Sequence, residues 1–220
     1  KRIMKRLGLL LVLLGAIALP ALAQNLVLNG DFEGGFSSVG GETIANQWSW
    51  WDAGTVNPAY PGSTHFWQVG GVPGSAQRII GGQIAGQSFR GGVYQVVSGT
   101  IPGLPHTFSF DYLVAGTTDP GAGQERRIRY DLTGGTNPDS GDIVWVVVED
   151  ATGDKPWQHF ETTITPTGTS VTIWTRVGIV WPVATTFMDI DNVSLVPVPE
   201  PSGLAVLGAG LAWLWRRRRV

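Results

Sequence analysis

The chain has 220 residues, a formal charge of −2, no cysteine and three histidines. The lack of cysteine excludes disulfides, zinc–thiolate sites and iron–sulfur clusters, and the histidines are not at metal-ligand spacing. Residues 24–196 hold only 7 of the lysines and arginines against 16 aspartates and glutamates, a formal charge of −9. So acidic a region argues against nucleic acid or anionic lipid as a partner, and it suits calcium or neutral ligands.

The first predicted element is a secretory signal peptide over residues 1–23. A basic flank precedes an almost unbroken apolar run, Leu7 to Leu19, and small residues follow at Ala21 to Ala23. This order of basic, apolar and small residues is the pattern that signal peptidase recognises. The sequence therefore predicts export, with a mature chain that begins at Gln24.

Residues 24–196 are predicted to form one domain of about ten short β-strands, because glycine and proline recur between short runs rich in β-forming residues. In "HTFSFDYLV", Phe108, Phe110, Tyr112 and Val114 alternate with other residues, as expected of a half-buried strand. The run "DIVWVVV" is apolar on both faces and predicts a central strand. Further strands are predicted in "NLVL", "HFWQV", "AQRII", "VYQVV", "RIRYDL", "HFETTI", "VTIWTRV" and "MDIDNVSL".

Three short motifs in fixed order extend this prediction: "NLVLNGDFEGG" near the start, "GGVYQVV" before "IPGLPHTFSFDY" in the middle, and "MDIDNVSLV" at the end. Together they resemble the galactose-binding-like domains that include many carbohydrate-binding modules. The resemblance implies an antiparallel jelly-roll β-sandwich in which the first and last strands are neighbours. Because this fold hosts many functions, sugar binding is an expectation and not a consequence of the fold.

The same resemblance implies a structural calcium ion that joins the first and last strands. Calcium prefers six to eight oxygen ligands from carboxylates and backbone carbonyls. The implied ligands are Glu33 of "NGDFE" and Asp191 of "DNV", with Asp31 and Asp189 as further candidates. The alternative is that these acidic side chains only cap a turn and lie on a bulge.

Tryptophan is abundant in the predicted domain, and pyranose rings stack on indole faces. Trp174 shares a strand face with Thr172 and Arg176 instead of core residues, which predicts a stacking platform beside a hydrogen-bond donor. Trp145, in an apolar strand, is predicted to be core. The candidate ligand-binding residues are Trp48, Trp50, Tyr60, Trp67, Trp174 and Arg176. The alternative is that these rings fill the core.

An enzymatic function is not predicted. Glycoside hydrolysis needs two carboxyl groups about 5–9.5 Å apart, and nothing in the sequence pairs residues such as Glu125, Glu149, Asp150 and Glu161. Nucleophile and phosphate-loop motifs are also absent from the sequence. We therefore expect non-catalytic, calcium-assisted carbohydrate binding, with a structural or adhesion protein of the extracellular matrix as the alternative.

The last predicted element is a C-terminal signal over residues 197–220. The motif Val198, Pro199, Glu200 and Pro201 precedes an apolar run, Gly203 to Trp215, and Arg216, Arg217, Arg218 and Arg219 follow. As a helix the run would span about 20 Å, short of a bilayer core of about 30 Å.

These residues resemble the PEP-CTERM sorting signal of Gram-negative bacteria. The resemblance implies a transient inner-membrane anchor, processing by an exosortase, and delivery to the cell surface or exopolysaccharide matrix. An ordinary single-pass anchor is the alternative.

Overall fold

The computed structural model describes residues 24–54, 64–81, 89–116, 118–119, 121, 123–150, 152–179 and 186–198. The predicted signal peptide, Tyr60 and the C-terminal signal after Val198 lie outside the described residues. Within them, no helix has the length and apolar character needed to cross a membrane.

The described residues form a sandwich of two five-stranded antiparallel sheets and a small two-stranded sheet, β1–β2. The first sheet has the order β3-β6-β11-β8-β9 and the second the order β10-β7-β12-β5-β4. The all-β sandwich predicted from the sequence is confirmed. The strands are β1 (Phe36–Val39), β2 (Glu42–Ala45), β3 (Ser49–Gly54), β4 (Thr64–Gly70), β5 (Ser75–Gly81), β6 (Phe89–Ser98), β7 (His106–Ala115), β8 (Glu125–Asp131), β9 (Ile143–Val148), β10 (Lys155–Ile164), β11 (Ser170–Ile179) and β12 (Thr186–Pro197).

The core lies between the inner faces of the two sheets. Strand β7 alternates strictly between buried and half-buried side chains, as its sequence pattern predicts. Its buried side chains pack in one cluster with those of the first sheet, which include Val93, Ile128 and Ile173. Because successive side chains point to opposite faces, this inner face leaves every second residue of the first sheet on an outer face.

Two strand positions differ from the prediction. Strand β9, predicted to be central, is an edge strand of the first sheet, and Val144 and Val148 are exposed on it. The central strand is β11, where every residue from Val171 to Ile179 is buried. An apolar pattern on both faces indicates burial of a strand, but it does not say which strand lies beside it.

The N-terminal segment lies beside β12 without forming the strand predicted in "NLVL". The amide of Leu26 donates to the carbonyl of Leu195 at 2.9 Å, and that of Val193 donates to Gly30 at 2.8 Å. The segment then turns, with positive φ angles of 49° at Asn29 and 56° at Phe32. The first and last segments are therefore neighbours, joined by these bonds instead of a regular ladder.

Candidate functional site

The structure does not bring the six predicted ligand-binding residues together. Trp48 is buried, its ring centroid 5.5 Å from that of Phe32, and its indole N–H donates to the carbonyl of Asn29 at 3.1 Å. Its assignment to a binding surface is therefore wrong: it belongs to the core.

Two predicted tryptophans are exposed but lie on different sheets. Trp50, 44% exposed, is on edge strand β3 and contacts Phe66 of the opposite sheet, with ring centroids 5.9 Å apart. Trp67, 50% exposed, is on β4 at the outer face of the second sheet and stacks on His65 at 6.5 Å. They do not form one platform with Trp174.

Trp174 and Arg176 share the outer face of the first sheet, as their alternation predicts, but the expected exposed platform is wrong. Trp174 is 0% exposed. The Tyr94 ring stacks on it at 4.5 Å and 22°, and the Trp51 ring meets it edge-on at 6.0 Å and 79°. Neighbouring strands β6 and β3 supply these covering rings, which the sequence of β11 alone does not specify.

The outer face of the first sheet carries a cluster of aromatic rings and guanidinium groups. Cross-strand pairing sets Trp174 opposite Tyr94 on one side and opposite Arg129 on the other, and Arg129 is opposite Trp145. Trp51, Tyr94 and Trp145 are half-buried and form its solvent side. We call this the aromatic–arginine face: Trp51, Tyr94, Arg129, Trp145, Trp174 and Arg176.

Arg129 lies at the centre of this face and is only 1% exposed. Its guanidinium carbon is 4.7 Å from the ring centroid of Trp145, 5.3 Å from that of Trp174 and 5.4 Å from that of Trp51. Such distances are within the range of cation–π attraction. Burial, and then the positive charge of Arg176, lowers the pKa of Arg129 to about 10.

Several buried polar atoms on this face have no hydrogen-bond partner among the residues that the structure describes. They are Nε and Nη2 of Arg129, Nε1 of Trp174 and Oγ1 of Thr172. Buried donors without an acceptor are rare in folded proteins, and each needs a physical explanation. Here three different side chains leave such donors in one cluster.

Arg176, by contrast, has an acidic partner. Its Nε lies 2.6 Å from Oε2 of Glu125, in an ion pair whose N–H bond is not aimed at that oxygen. Burial lowers the pKa of Arg176, and the nearby Glu125 opposes that effect. Arg127 pairs with Asp150 and lies 3.7 Å from Glu125.

Gly92 explains how Trp51 reaches this cluster. Trp51 pairs with Gly92 of β6, which has no side chain to block the indole, and its N–H donates to the carbonyl of Thr175 on β11 at 3.2 Å. A Cβ at Gly92 would lie 2.0 Å from that same carbonyl oxygen. A larger residue there would displace the contact.

Four members of the face were missed by the sequence reasoning: Trp51, Tyr94, Arg129 and Trp145. Trp145, predicted to be core, is half-buried on the outer face of an edge strand. The alternation in "RIRYDL" places Arg127 and Arg129 on one side, and that in "VTIWTRV" places Trp174 with Arg176. Only the pairing of β8 with β11 joins these two sets, and no local pattern specifies it.

The two principal calcium candidates, Glu33 and Asp191, contact the connection between β4 and β5, Asp191 within the loop and Glu33 at the first residue of β5. Glu33 accepts a hydrogen bond from the amide of Ser75 at 2.5 Å, and Asp191 accepts one from the amide of Val72 at 2.7 Å. Asp191 is fully buried, and burial raises its pKa, with the negative charges of Asp111 and Glu33 adding to the shift. Buried charges in proteins are paired or coordinate metals, so the buried Asp191, which the exposed Glu33 and the half-buried Asp111 repel, favours a bound cation.

A calcium ion held by Glu33 and Asp191 would nevertheless need backbone oxygens as further ligands. Among the described residues, no three side chains of histidine, aspartate or glutamate converge closely enough to hold a metal ion. Calcium accepts backbone carbonyl ligands, so the two carboxylates fit calcium only with carbonyl groups added. The sequence reasoning missed Asp111, whose carboxylate accepts hydrogen bonds from Asn192 at 2.8 Å and His159 at 2.7 Å.

The two further calcium candidates have other partners. Asp189 forms a two-point ion pair with Arg78, both contacts being 2.7 Å, so its negative charge is already compensated and its assignment as a ligand is corrected. Asp31 is exposed and accepts the amide of Glu33 at 3.2 Å, the turn-capping role that was the stated alternative.

A cleft of about 320 Å³ lies between the N-terminal segment and β12. Its lining is mostly polar and includes Asn25, Asn29, Asp31 and Asn192, with no aromatic side chain. A pyranose ring would find no stacking partner there. The aromatic–arginine face is therefore the better candidate for a binding site.

No protein-family model matches this sequence, and no curated protein matches it. Solved structures match it by fold. An arabinose-bound α-L-arabinofuranosidase, MgGH51, has a TM-score of 0.50 at 11% identity, over 80% of this chain and 27% of the enzyme. TmCBM61 in complex with β-1,4-galactotriose has a TM-score of 0.46 at 16% identity, over 80% of this chain and 100% of the module. The CBM22-1 xylan-binding domain of Paenibacillus barcinonensis has a TM-score of 0.46 at 14% identity, over 81% of this chain and 97% of that domain.

These similarities concern the fold. The chain spans 27% of the arabinofuranosidase and 21% of the enzymatically active domain of the bacteriophage CBA120 tailspike protein, but nearly all of the carbohydrate-binding modules. What the site binds must be argued from the side chains of this chain.

Proposed function

We propose that this protein binds carbohydrate without catalysis, through the aromatic–arginine face. The observation that carries the proposal is the cluster of half-buried rings, Trp51, Tyr94 and Trp145, around the unpaired donors of Arg129. Sugar rings present apolar C–H faces to aromatic side chains and hydroxyl groups to polar ones. This face offers both kinds of partner within one cross-strand row.

The test is a comparison of two single-ring deletions. Trp145→Ala removes a half-buried ring from the proposed face, and Trp67→Ala removes an exposed ring from the other sheet. We expect Trp145→Ala to weaken glycan binding about fivefold or more, because aromatic contacts of this kind contribute on the order of 1 kcal/mol or more. Trp67→Ala should change it less than about threefold. Affinities would be measured by calorimetry on glycans selected in an array screen.

The outcomes separate the alternatives. Equal losses in both variants, or a loss only in Trp67→Ala, would contradict the proposed location. A folded protein that binds no glycan would favour the second candidate, a structural or adhesion protein of the matrix. The specific observation behind that second candidate is edge strand β9, where Val144 and Val148 are exposed and where no other described strand pairs with the outer edge.

Binding is favoured over hydrolysis because the carboxylates near the face are held in ion pairs. Glu125 is paired with Arg176, and Asp150 with Arg127. A glycosidase needs two carboxyl groups that are free to act on the glycosidic bond, whereas these two are held in ion pairs with arginine. Incubation with the bound glycan should therefore release no reducing ends.

Calcium is proposed as a structural ligand between Glu33, Asp191 and backbone oxygens of the neighbouring loop. Its contribution would be to neutralise two carboxylates and to tie the N-terminal segment to β12, and it would take no part in chemistry. The contacts of both residues with the connection between β4 and β5 support this assignment.

Export and sorting are proposed from the sequence alone. The signal peptide 1–23 would direct secretion, and the segment 197–220 would hold the chain briefly in the inner membrane until an exosortase acts. The protein would then reach the surface or extracellular matrix of a Gram-negative bacterium. A variant with Pro199, Glu200 and Pro201 changed to alanine should remain unprocessed in a host that has an exosortase.

A further inference from the structure

The few basic residues of the acidic domain are concentrated on one face. Residues 24–196 contain 7 lysines and arginines. Cross-strand pairing places four of them on the outer face of the first sheet: Arg90, Arg127, Arg129 and Arg176. Like charges brought together repel each other, so this arrangement needs a compensating negative charge.

The carboxylates of the protein compensate only part of this charge. Glu125 lies 2.6 Å from Arg176 and 3.8 Å from Arg90, and Asp150 pairs with Arg127. Among the described residues, none forms an ion pair with Arg129. The direct contacts of the buried Arg129 charge are therefore aromatic rings, and the carboxylates of Glu125 and Asp139 act on it only from beyond ion-pair distance.

The surroundings of Arg129 match an incoming anion better than a neutral group. Its Nε and Nη2 atoms are buried without acceptors, and an unpaired buried charge is far more costly than an unpaired neutral group. The nearby charge of Arg176 raises that cost, and it also lowers the pKa of Arg129. A sugar hydroxyl would satisfy an N–H bond but leave the charge uncompensated, whereas a carboxylate would do both.

We propose that the aromatic–arginine face selects a sugar that carries a carboxylate, such as a uronic acid residue of an acidic polysaccharide. This inference rests on the proposed function. The planar guanidinium of Arg129 would bind the planar carboxylate through two N–H donors, and Trp51, Tyr94 and Trp145 would contact the ring that carries it. The overall charge of the domain opposes an acidic polymer, but salt screens that repulsion beyond about 8 Å at physiological ionic strength.

Ligand entry requires a side chain to move. The Nε and Nη2 atoms of Arg129 are shielded from solvent, while the rings of Trp51, Tyr94 and Trp145 at the solvent side are only half-buried. Binding should therefore displace one of these rings, and it should change tryptophan fluorescence.

The decisive experiment uses wild-type protein and ligands that differ only in charge. The full 220-residue chain, purified in a polyoxyethylene detergent that contains no sugar, would be titrated by calorimetry at 0.15 M salt. The ligands are oligogalacturonate and oligomannuronate, each compared with its methyl ester. We expect at least one acid to bind tenfold or more tightly than its ester, and added salt to weaken binding of the acid alone.

A variant then assigns the charge to one residue. Arg129→Gln should remove most of the preference for the acid over the ester. Lys155→Gln, which removes a positive charge from β10 in the second sheet, should retain it. Circular dichroism would show that both variants are folded, and if Arg129→Gln does not fold, the wild-type comparison of acid and ester decides alone.

The outcomes distinguish this inference from the proposed function. Neutral glycans that bind while every acid binds no better than its ester would overturn this inference and leave the proposed function standing. Failure of every glycan, neutral or acidic, would overturn both. An acid preference that persists in folded Arg129→Gln would contradict the role of that residue.

Discussion

The indole of Trp174 lies between the stacked ring of Tyr94, 4.5 Å away, and the guanidinium of Arg129, 5.3 Å away. It is the largest of the fully buried side chains among the described residues. A ring enclosed in this way packs beneath its neighbours. It therefore contributes to the packing of the face and not to direct stacking on a ligand.

Trp174→Ala is therefore expected to lower the free energy of unfolding by about 3–5 kcal/mol, the usual effect of deleting a large buried aromatic side chain. Trp67→Ala, at a position that is 50% exposed, should lower it by about 1 kcal/mol or less. Urea unfolding followed by circular dichroism measures both. Similar losses in the two variants would contradict the burial of Trp174.

A binding test on Trp174 alone would be ambiguous. Loss of glycan binding in Trp174→Ala would follow from collapse of Tyr94 and Arg129 into the cavity as readily as from a lost contact. Deletions at the half-buried rings, such as Trp145→Ala, remove fewer packing contacts and report on binding more directly.

At the scale of strands, Glu149 connects the two sheets. It follows β9 of the first sheet, and its carboxylate accepts hydrogen bonds from Tyr112 of β7 at 3.1 Å and from Lys155 of β10 at 2.6 Å. Burial acts to raise the pKa of Glu149, but the bonds from Lys155, Tyr112 and Thr152 outweigh burial and leave it below its ordinary value of 4.5. Burial, with Glu149 beside it, raises the pKa of Tyr112 to about 12.

A lowered pKa in the folded state means that Glu149 stabilises the fold above its unfolded pKa, and that this contribution disappears as the pH falls through the folded value. Glu149→Gln should lower the free energy of unfolding at pH 7 by on the order of 1–3 kcal/mol, the range for a lost charged hydrogen bond. It should also flatten the loss of stability as the pH falls below the ordinary glutamate pKa of 4.5.

Glu161→Gln, at an exposed position of β10, is the matched control. Urea unfolding at a series of pH values compares the three proteins. If Glu149→Gln and Glu161→Gln follow the same pH profile, the connection between the sheets through Glu149 does not contribute as argued.

Strands also show what the sequence could and could not predict. The alternation in β7 was predictable, because one face of that strand packs into the core and period-two burial follows directly. The position of β9 at an edge and the pairing of β8 with β11 were not, since strand order depends on contacts between distant segments. The predicted pair Trp174 and Arg176 was therefore found, while Arg129 and Trp145, which lie opposite, were missed.

At the scale of the whole molecule, the two sheets have different outer faces. The first sheet carries the aromatic–arginine face, and the second carries the paired Arg78 and Asp189 together with exposed Trp67. Glu33 and Asp191, which form no ion pair among the described residues, lie where the N-terminal segment meets β12 and the connection between β4 and β5. Anion binding and cation binding are thus proposed at separate places, and calcium removal should act on stability first.

Calcium is expected to raise the free energy of unfolding of the whole domain, because a ligand that binds only the folded state stabilises it by about 2.7 kcal/mol at a hundredfold excess over its dissociation constant. The midpoint of urea unfolding would be compared in calcium, in magnesium and in EDTA. Wild-type protein should be most stable in calcium, and Asp191→Asn should lose that difference, since Asp191 is the buried carboxylate of the pair. Asp142→Asn, an exposed loop position, should retain it. Coincident curves in calcium and EDTA for wild-type protein would show that the repulsion of Asp191 by Glu33 and Asp111 is tolerated without a metal, and that the hydrogen bonds between the terminal segments suffice to hold them together.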